Sequence, residues 1–209
     1  MTTDGSSSRR YPAWIPWVAG LAVFLLTLVA GGALAGDWLA RNIQMRDLVT
    51  AIEGSESAMG AVQDQIAAAF DDYAAKKKPT DAEKDAFDAS LSNIAAAGAS
   101  SIALAGDKVA QVKLLPWDVA VWNSRKAYLA HNLAWQDYLS AAALNPLELT
   151  KTQPAINDTF MAFEKTIMAA VPDPALFALK KRVAHLFIDQ SPADSAQGPM
   201  QAAGLTLAA

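Results

Sequence analysis

The sequence contains no cysteine, only two histidines and few charged residues. Without cysteine the chain forms no disulfide, carries no thiolate nucleophile and offers no thiolate ligand to zinc. The net charge is −4, so a basic surface of the kind that binds nucleic acid is not expected. The composition therefore excludes thiol chemistry and argues against a nucleic-acid partner.

Motifs for nucleotide, phosphate or hydrolytic chemistry are also missing from the sequence. There is no glycine-rich phosphate loop and no Gly-x-Ser-x-Gly nucleophile elbow. Carboxylate-bridged metal bundles use Glu-x-x-His on two helices, but Tyr128 and Arg182 lie three residues before His131 and His185. We therefore predict no metal, no other cofactor and no enzymatic activity.

One long segment near the N-terminus has no charged residues. Residues 11–36 carry no charge, and a helix of about 20 residues crosses the hydrocarbon core of a bilayer. Trp14 and Trp17 precede the most apolar part of this run and Trp38 follows it, as is typical of indoles at the two membrane interfaces. We predict a polar N-terminus at residues 1–10 and an uncleaved transmembrane anchor at residues 11–36.

Two features of the anchor keep alternatives open. Ala33-Leu34-Ala35 has the small-x-small form of a leader-peptidase site, so a secreted, released body is an alternative to a tethered one. Gly32 and Gly36 have the GxxxG spacing that lets two membrane helices approach closely. They are the candidate helix-dimer face of a homodimer.

The anchor is expected to hold the N-terminus in the cytoplasm. Arg9 and Arg10 flank one side and Arg41 and Arg46 the other, so the Lys/Arg count that orients membrane helices ties. The N-terminal amine adds a positive charge to the short side, which favours keeping that side inside. The expected location is the cell membrane, with a single pass and an extracytoplasmic helical body at residues 37–189.

Apolar residues in the body recur at helical spacing. Between residues 38 and 78 they lie mostly three or four positions apart, which predicts a long first helix. Thr80 to Glu83 form a capping box that begins a second helix. Leu115-Pro116 and Asn145-Pro146 end the second and third helices, and a fourth helix is interrupted at residues 172–174. No window shows the alternation typical of strands.

These patterns predict an all-α fold, in which the transmembrane helix continues into an up-down four-helix bundle. Residues 190–209 lack charge pattern and periodicity and are predicted to be a flexible, disordered tail. The fourth helix would resume after its interruption and return toward the bilayer. Lys180, Lys181 and Arg182 are then candidate lipid-headgroup contacts, the alternative being a solvated basic face.

The third helix carries the most distinctive candidate site. Tyr128, His131, Trp135 and Tyr138 are spaced by three, four and three residues and share one helix face. Their rings would line a pocket for a small ligand, such as a cation held over the aromatic faces. The alternative is a bulky core layer that contains one hydrogen-bonded histidine.

Two tryptophans, Trp117 and Trp122, follow the proline break between the second and third helices. An exposed pair would be a good anchor for a protein partner. Half-buried positions would instead make both indoles part of the core.

Two functions fit this organisation. The first is a membrane-tethered, non-catalytic interaction or accessory module for another membrane or envelope protein. The second is an extracytoplasmic sensor of a small ligand, because the layout is similar to that of the four-helix sensory domains of chemoreceptors. Such receptors enter the membrane again after the fourth helix, for which residues 190–209 are too polar. We expect the interaction module.

Overall fold

The computed structural model describes the backbone of residues 15–188 and the side chains of residues 21 and 23–187. Over this range the chain folds into five α-helices and one short 3-10 helix, without a β-strand. The predicted all-α fold class is confirmed. The predicted polar N-terminus at residues 1–10, Trp14 and the predicted tail at residues 190–209 lie outside the described residues.

The helices begin and end close to the predicted positions. Helix α1 spans Ile15–Ala74, α2 spans Asp81–Ala110 and α3 spans Val119–Leu144. The 3-10 helix at Pro146–Thr150 precedes α4 at Pro154–Ala170, and α5 spans Leu179–Ile188.

Side-chain caps explain where the helices start. The Thr80 hydroxyl accepts a hydrogen bond from the Glu83 N–H at 3.3 Å, and a Glu83 carboxylate oxygen accepts one from the Thr80 N–H at 2.8 Å. This capping box satisfies two N–H groups that α2 leaves unpaired, and the bonds from Thr80 lower the pKa of Glu83. Asp118 caps α3 by accepting from the Val121 N–H.

The chain divides into two units, Met1–Ala40 and Arg41–Ala209, and α1 contributes to both. In the first unit the described side chains of residues 21 and 23–36 are all exposed. In the second unit α1 supplies a buried apolar stripe that follows the predicted spacing: Met45, Leu48, Ile52, Met59, Val62, Ile66 and Phe70.

Consecutive long helices of the second unit are antiparallel. Phe70 near the end of α1 packs edge-on against Phe87 near the start of α2, with ring centroids 5.3 Å apart. The Ser92 hydroxyl of α2 donates to the Ala143 carbonyl of α3 at 2.7 Å. Tyr128 of α3 packs against Phe163 of α4, with ring centroids 5.0 Å apart.

The chain reverses after α4, and this differs from the prediction. Pro172 and Pro174 lack the N–H groups that would continue a helix, so α4 ends at Ala170. Phe177 and Ala178 adopt left-handed φ values of 56° and 53°. Helix α5 then folds back along α4, because Phe187 contacts the rings of Phe160 and Phe163. The predicted fourth helix is therefore two helices.

Candidate functional site

The exposed apolar segment of α1, residues 21–36, is the first candidate site. Leu26, Val29 and Leu34 are 69%, 71% and 73% exposed. Thr27 is the one polar side chain of this segment, and its hydroxyl donates to the Val23 carbonyl at 2.8 Å. A hydroxyl satisfied by its own helix can lie in an apolar environment without an unpaired polar group.

Two described helices, α1 and α2, are long and apolar enough to cross a membrane. In the most apolar 18-residue window of α1, 0% of the residues are buried, against 28% in that of α2. Helix α2 turns Leu91, Ala95, Ile102 and Val109 into the protein interior. Its apolarity therefore matches a core helix, whereas the apolar segment of α1 lacks such a face.

The other residues predicted for the anchor lie on α1. A Cβ placed on Gly32 or Gly36 would meet no atom within 4 Å, so this face is open and the homodimer stays a prediction. Ala33-Leu34-Ala35 is helical and exposed, and cleavage there stays the alternative. Trp38 is half-buried. Trp17 lies in α1, but its side chain is outside the described residues.

The aromatic face of α3 is the second candidate site, and its four members are brought together in the interior. Tyr128, His131, Trp135 and Tyr138 are 0%, 1%, 8% and 7% exposed. The His131 ring lies 5.4 Å from that of Phe160, and the Trp135 and Tyr138 rings lie 5.8 Å apart. This arrangement matches the bulky core layer better than rings lining an open pocket.

Burial keeps the titratable groups of this face neutral. Desolvation lowers the pKa of His131 to about 4. It raises the pKa of Tyr138 to about 12, and the charge of Glu148 adds to the rise. Burial likewise raises the pKa of Tyr128, followed by the charge of Glu56. None of these three groups changes charge near neutral pH.

Hydrogen bonding fixes the tautomer of His131. Its Nδ1 lies 3.2 Å from the Ile156 carbonyl oxygen and 3.2 Å from the Thr159 hydroxyl. A carbonyl oxygen only accepts, so Nδ1 carries the proton and Nε2 presents a lone pair. That Nε2 and the Tyr128 hydroxyl oxygen are buried without a hydrogen-bond partner.

A groove of about 350 Å³ runs between α3 and α4 beside this face. Tyr138 borders it together with Leu133, Asp137 and Glu148. The Tyr138 hydroxyl donates to the Leu149 carbonyl at 3.2 Å, so its polar atom is already used inside the protein. The predicted small-ligand pocket stays a prediction.

Two of the three candidate lipid-contact residues of α5, Lys180 and Arg182, have partners within the body. The Lys180 amine lies 3.1 Å from an Asp173 carboxylate oxygen. The Arg182 guanidinium donates to both carboxylate oxygens of Glu53 and to the Thr50 hydroxyl, and the bond to Glu53 raises the pKa of Arg182. Lys181 is exposed. Lipid-headgroup contact by these three residues stays a prediction.

A polar contact between three helices was missed by the sequence analysis. The Asn132 amide nitrogen on α3 donates to the Ser55 hydroxyl on α1 at 3.2 Å and to the Ile102 carbonyl on α2 at 3.1 Å. Gln136 donates to the Asn132 amide oxygen at 2.6 Å. The signal in the sequence was Ser55, a polar residue that occupies a stripe position of α1.

The described part of the chain holds no group of three or more His, Asp or Glu side chains arranged for a metal ion. Comparison with models of known protein families, with curated proteins and with solved structures finds no match to this chain. A functional proposal therefore depends on the physical properties of the segments described above.

Proposed function

We propose that the protein is a single-pass membrane protein whose helical body is a non-catalytic interaction module for another membrane or envelope protein. The observation that carries the proposal is the exposed apolar segment of α1. Eight large apolar side chains between Leu21 and Leu34 are each 52% to 73% exposed. Burying a side chain of this size gains about 1.5–3 kcal/mol, so leaving all eight in water forgoes on the order of 10 kcal/mol.

That free energy is comparable with the whole stability of a domain, about 5–15 kcal/mol. A lipid bilayer supplies an apolar environment of the right depth for a helix of this length. The absence of charge over residues 11–36 supports the same conclusion, as does the self-satisfied hydroxyl of Thr27. The proposed orientation places the N-terminus in the cytoplasm and the body outside.

The body is proposed to be an up-and-down four-helix bundle made from residues 41–74 of α1 together with α2, α3 and α4. The antiparallel contacts of consecutive helices and their short connections support this architecture. Helix α5 adds a short fifth element that covers part of α1 and α4. The role of α2 in the interior favours one membrane pass over two.

The body also exposes apolar side chains that could contact a protein partner. Their spread over α2, α3, the 3-10 helix and α4 favours docking along the body: Leu104, Leu133, Leu144, Leu147, Met161 and Met168 are between 48% and 90% exposed. The buried, neutral groups of α3 favour an interaction module over a ligand sensor, because their rings are already packed against protein atoms.

Membrane fractionation of the native protein, followed by intact-mass measurement, tests the anchor. We expect the full chain in the membrane fraction, resistant to alkaline carbonate and released by detergent. A soluble chain that begins at Gly36 would instead establish cleavage after Ala33-Leu34-Ala35 and overturn the proposed anchor.

Affinity purification in mild detergent tests the role of the body. We expect stoichiometric recovery of another membrane or envelope protein, and the Gly32→Ile/Gly36→Ile variant reports whether a homodimer contributes. A lone, monodisperse chain whose melting temperature rises with a small ligand would favour the sensor instead.

A further inference from the structure

The connection between α2 and α3, together with the first turn of α3, buries a carboxylate and exposes apolar side chains. Asp118 is 5% exposed, whereas Trp117, Val119 and Trp122 around it are 61%, 64% and 41% exposed. Tryptophan is among the residues with the most apolar area to gain from burial. The loop therefore displays its apolar side chains outward.

A second loop, residues 171–178, displays an aromatic side chain in the same way. Phe177 is 43% exposed, and the Arg46 guanidinium lies over its ring, 5.0 Å from the centroid. Phe177 has a φ of 56°, a left-handed conformation that costs a bulky L-residue about 1–2 kcal/mol. The surrounding contacts, not its own backbone preference, hold this residue in place.

Both loops are fastened to the same turn of α1. The Gln44 side chain accepts from the Leu115 N–H at 2.7 Å and donates to Asp118. The Asn42 side chain accepts from the Leu176 N–H at 2.6 Å. Asn42 and Gln44 are two positions apart on α1, and this separation corresponds to a rotation of about 200° around the helix axis. The loops therefore lie at one level on opposite sides of α1.

The polar group of the exposed Trp122 ring already has a hydrogen-bond partner within the protein. Its indole N–H donates to the Leu115 carbonyl at 2.9 Å. The Arg125 guanidinium covers one face of the ring, 4.1 Å from the centroid, and donates to the Ala110 and Val112 carbonyls. The Trp122 ring therefore exposes apolar surface next to the charge of Arg125.

We propose that Trp117, Trp122 and Phe177 form an aromatic collar around α1 that inserts into the headgroup region of the bilayer. The proposal rests on the proposed membrane anchor. Arg41, whose guanidinium pairs with Asp118 at 3.7 Å, follows Gly36, the last residue of the proposed anchor, by only five residues in the sequence. The headgroup region on each side of the hydrocarbon core is itself only about 5–8 Å thick.

The chemistry of the collar favours lipid over a protein partner. Indole rings prefer the membrane–water interface, where their apolar body and polar tip are both satisfied. Arg46 and Arg125 lie against collar rings, and Lys113 and Lys126 are exposed in the same stretch of chain. Each exposed lysine adds about 1 kcal/mol of attraction to an anionic lipid surface, whereas Arg46 adds less because it pairs with Asp47 at 2.8 Å.

Because the chain has no cysteine, single labels can test the collar in the full-length protein. Three variants, Val119→Cys, Leu28→Cys and Lys77→Cys, carry a nitroxide in nanodiscs that contain anionic lipid. Val119 reports on the collar, Leu28 on the anchor, and exposed Lys77 on the turn at the other end of the body. We expect Leu28 and Val119 to be protected from an aqueous nickel reagent, and Lys77 to be accessible.

Substitution identifies the collar side chains as the cause. Trp117→Ser/Phe177→Ser should abolish the protection at Val119, whereas Leu144→Ser/Leu147→Ser, which removes even more exposed apolar side chains elsewhere, should leave it unchanged. Unchanged protection in the first variant overturns the collar.

The labels at Leu28, Val119 and Lys77 distinguish failure of the collar from failure of the anchor. Protection at Leu28 with Val119 as accessible as Lys77 overturns the collar, favours a protein partner for these rings and leaves the anchor standing. Accessibility at Leu28 overturns the proposed anchor and the collar with it, whatever the value at Val119.

Discussion

Burial of His131 should make this protein less stable in acid. Its imidazole is 1% exposed, and its pKa falls from 6.5 to about 4 because burial disfavours the charged form. Above pH 6.5 the imidazole is neutral in both the folded and the unfolded chain, so it causes no loss of stability. Between pH 6.5 and about 4 the unfolded chain binds a proton that the folded chain does not.

The size of the effect follows from the pKa change. One pKa unit corresponds to about 1.4 kcal/mol, so the fall from 6.5 to about 4 predicts a loss of about 3 kcal/mol. The loss is complete below the folded pKa. Against a total of about 5–15 kcal/mol for a typical domain, it is large enough to shift a denaturant midpoint clearly.

The assay is urea unfolding of the detergent-solubilised full chain from pH 8 to pH 4.5, followed by tryptophan fluorescence. The His131→Gln variant keeps an amide that can donate to the Ile156 carbonyl and removes the titrating group. We expect the wild-type chain to lose stability relative to this variant as the pH falls. The His185→Gln variant is the control, because His185 is exposed, and it should follow the wild type.

Carboxylates in general also begin to protonate toward the acidic end of this range. They contribute equally to all three chains, so the difference between wild type and His131→Gln isolates the imidazole. Parallel loss of stability in these two chains would refute the assignment of a buried, neutral His131.

Two further predictions concern the close approach of helices. A Cβ on Gly98 would lie 2.6 Å from Cγ1 of Val62, so Gly98→Ala should destabilise by about 1–3 kcal/mol. Gly60→Ala, where a Cβ meets nothing within 4 Å, should instead stabilise by about 0.5–1 kcal/mol; equal midpoints for both would contradict the packing. Asn132→Leu leaves Ser55 and the Ile102 carbonyl without their bonds and should cost about 1–3 kcal/mol, measured by urea unfolding. Asn132→Leu should cost less stability in a Ser55→Ala background, because the bond between the two side chains is already lost there. Fully additive losses of stability for the two substitutions would refute this coupling.

Local chemistry made the helix boundaries predictable. The Thr80 to Glu83 capping box and the prolines after Leu115 and Asn145 act through adjacent backbone atoms, so the sequence alone contains the signal. The buried stripe of α1 was predictable for a similar reason. Residues spaced by three and four positions lie on one face of any α-helix, whatever surrounds it.

Tertiary contacts explain what the sequence did not predict. The fold-back of α5 depends on Phe187 meeting Phe160 and Phe163, which are more than twenty residues away. The exposure of Trp117 depends on Gln44 of α1 holding the α2–α3 loop. Neither pairing leaves a periodic trace in the sequence.

For the aromatic face of α3, the sequence predicts which residues share a helix face but not what they pack against. Its shared helix face follows from the spacing, and in the structure all four members are buried. Whether such a face lines a cavity or fills one depends on the volume supplied by Phe160 and Phe163 of α4. That volume is a property of the partner helix.

The amide of Asn132 affects how α1, α2 and α3 are positioned along one another. Helix α2 is rich in alanine and glycine, which lets the side chains of its neighbours approach its backbone closely. Asn132 sits where Gly106 has no side chain, since a Cβ there would lie 2.4 Å from its oxygen, and it also reaches Ile102 and Ser55. Sliding by one turn would leave this amide without its partners among apolar side chains, so Asn132 helps to fix the relative height of the three helices.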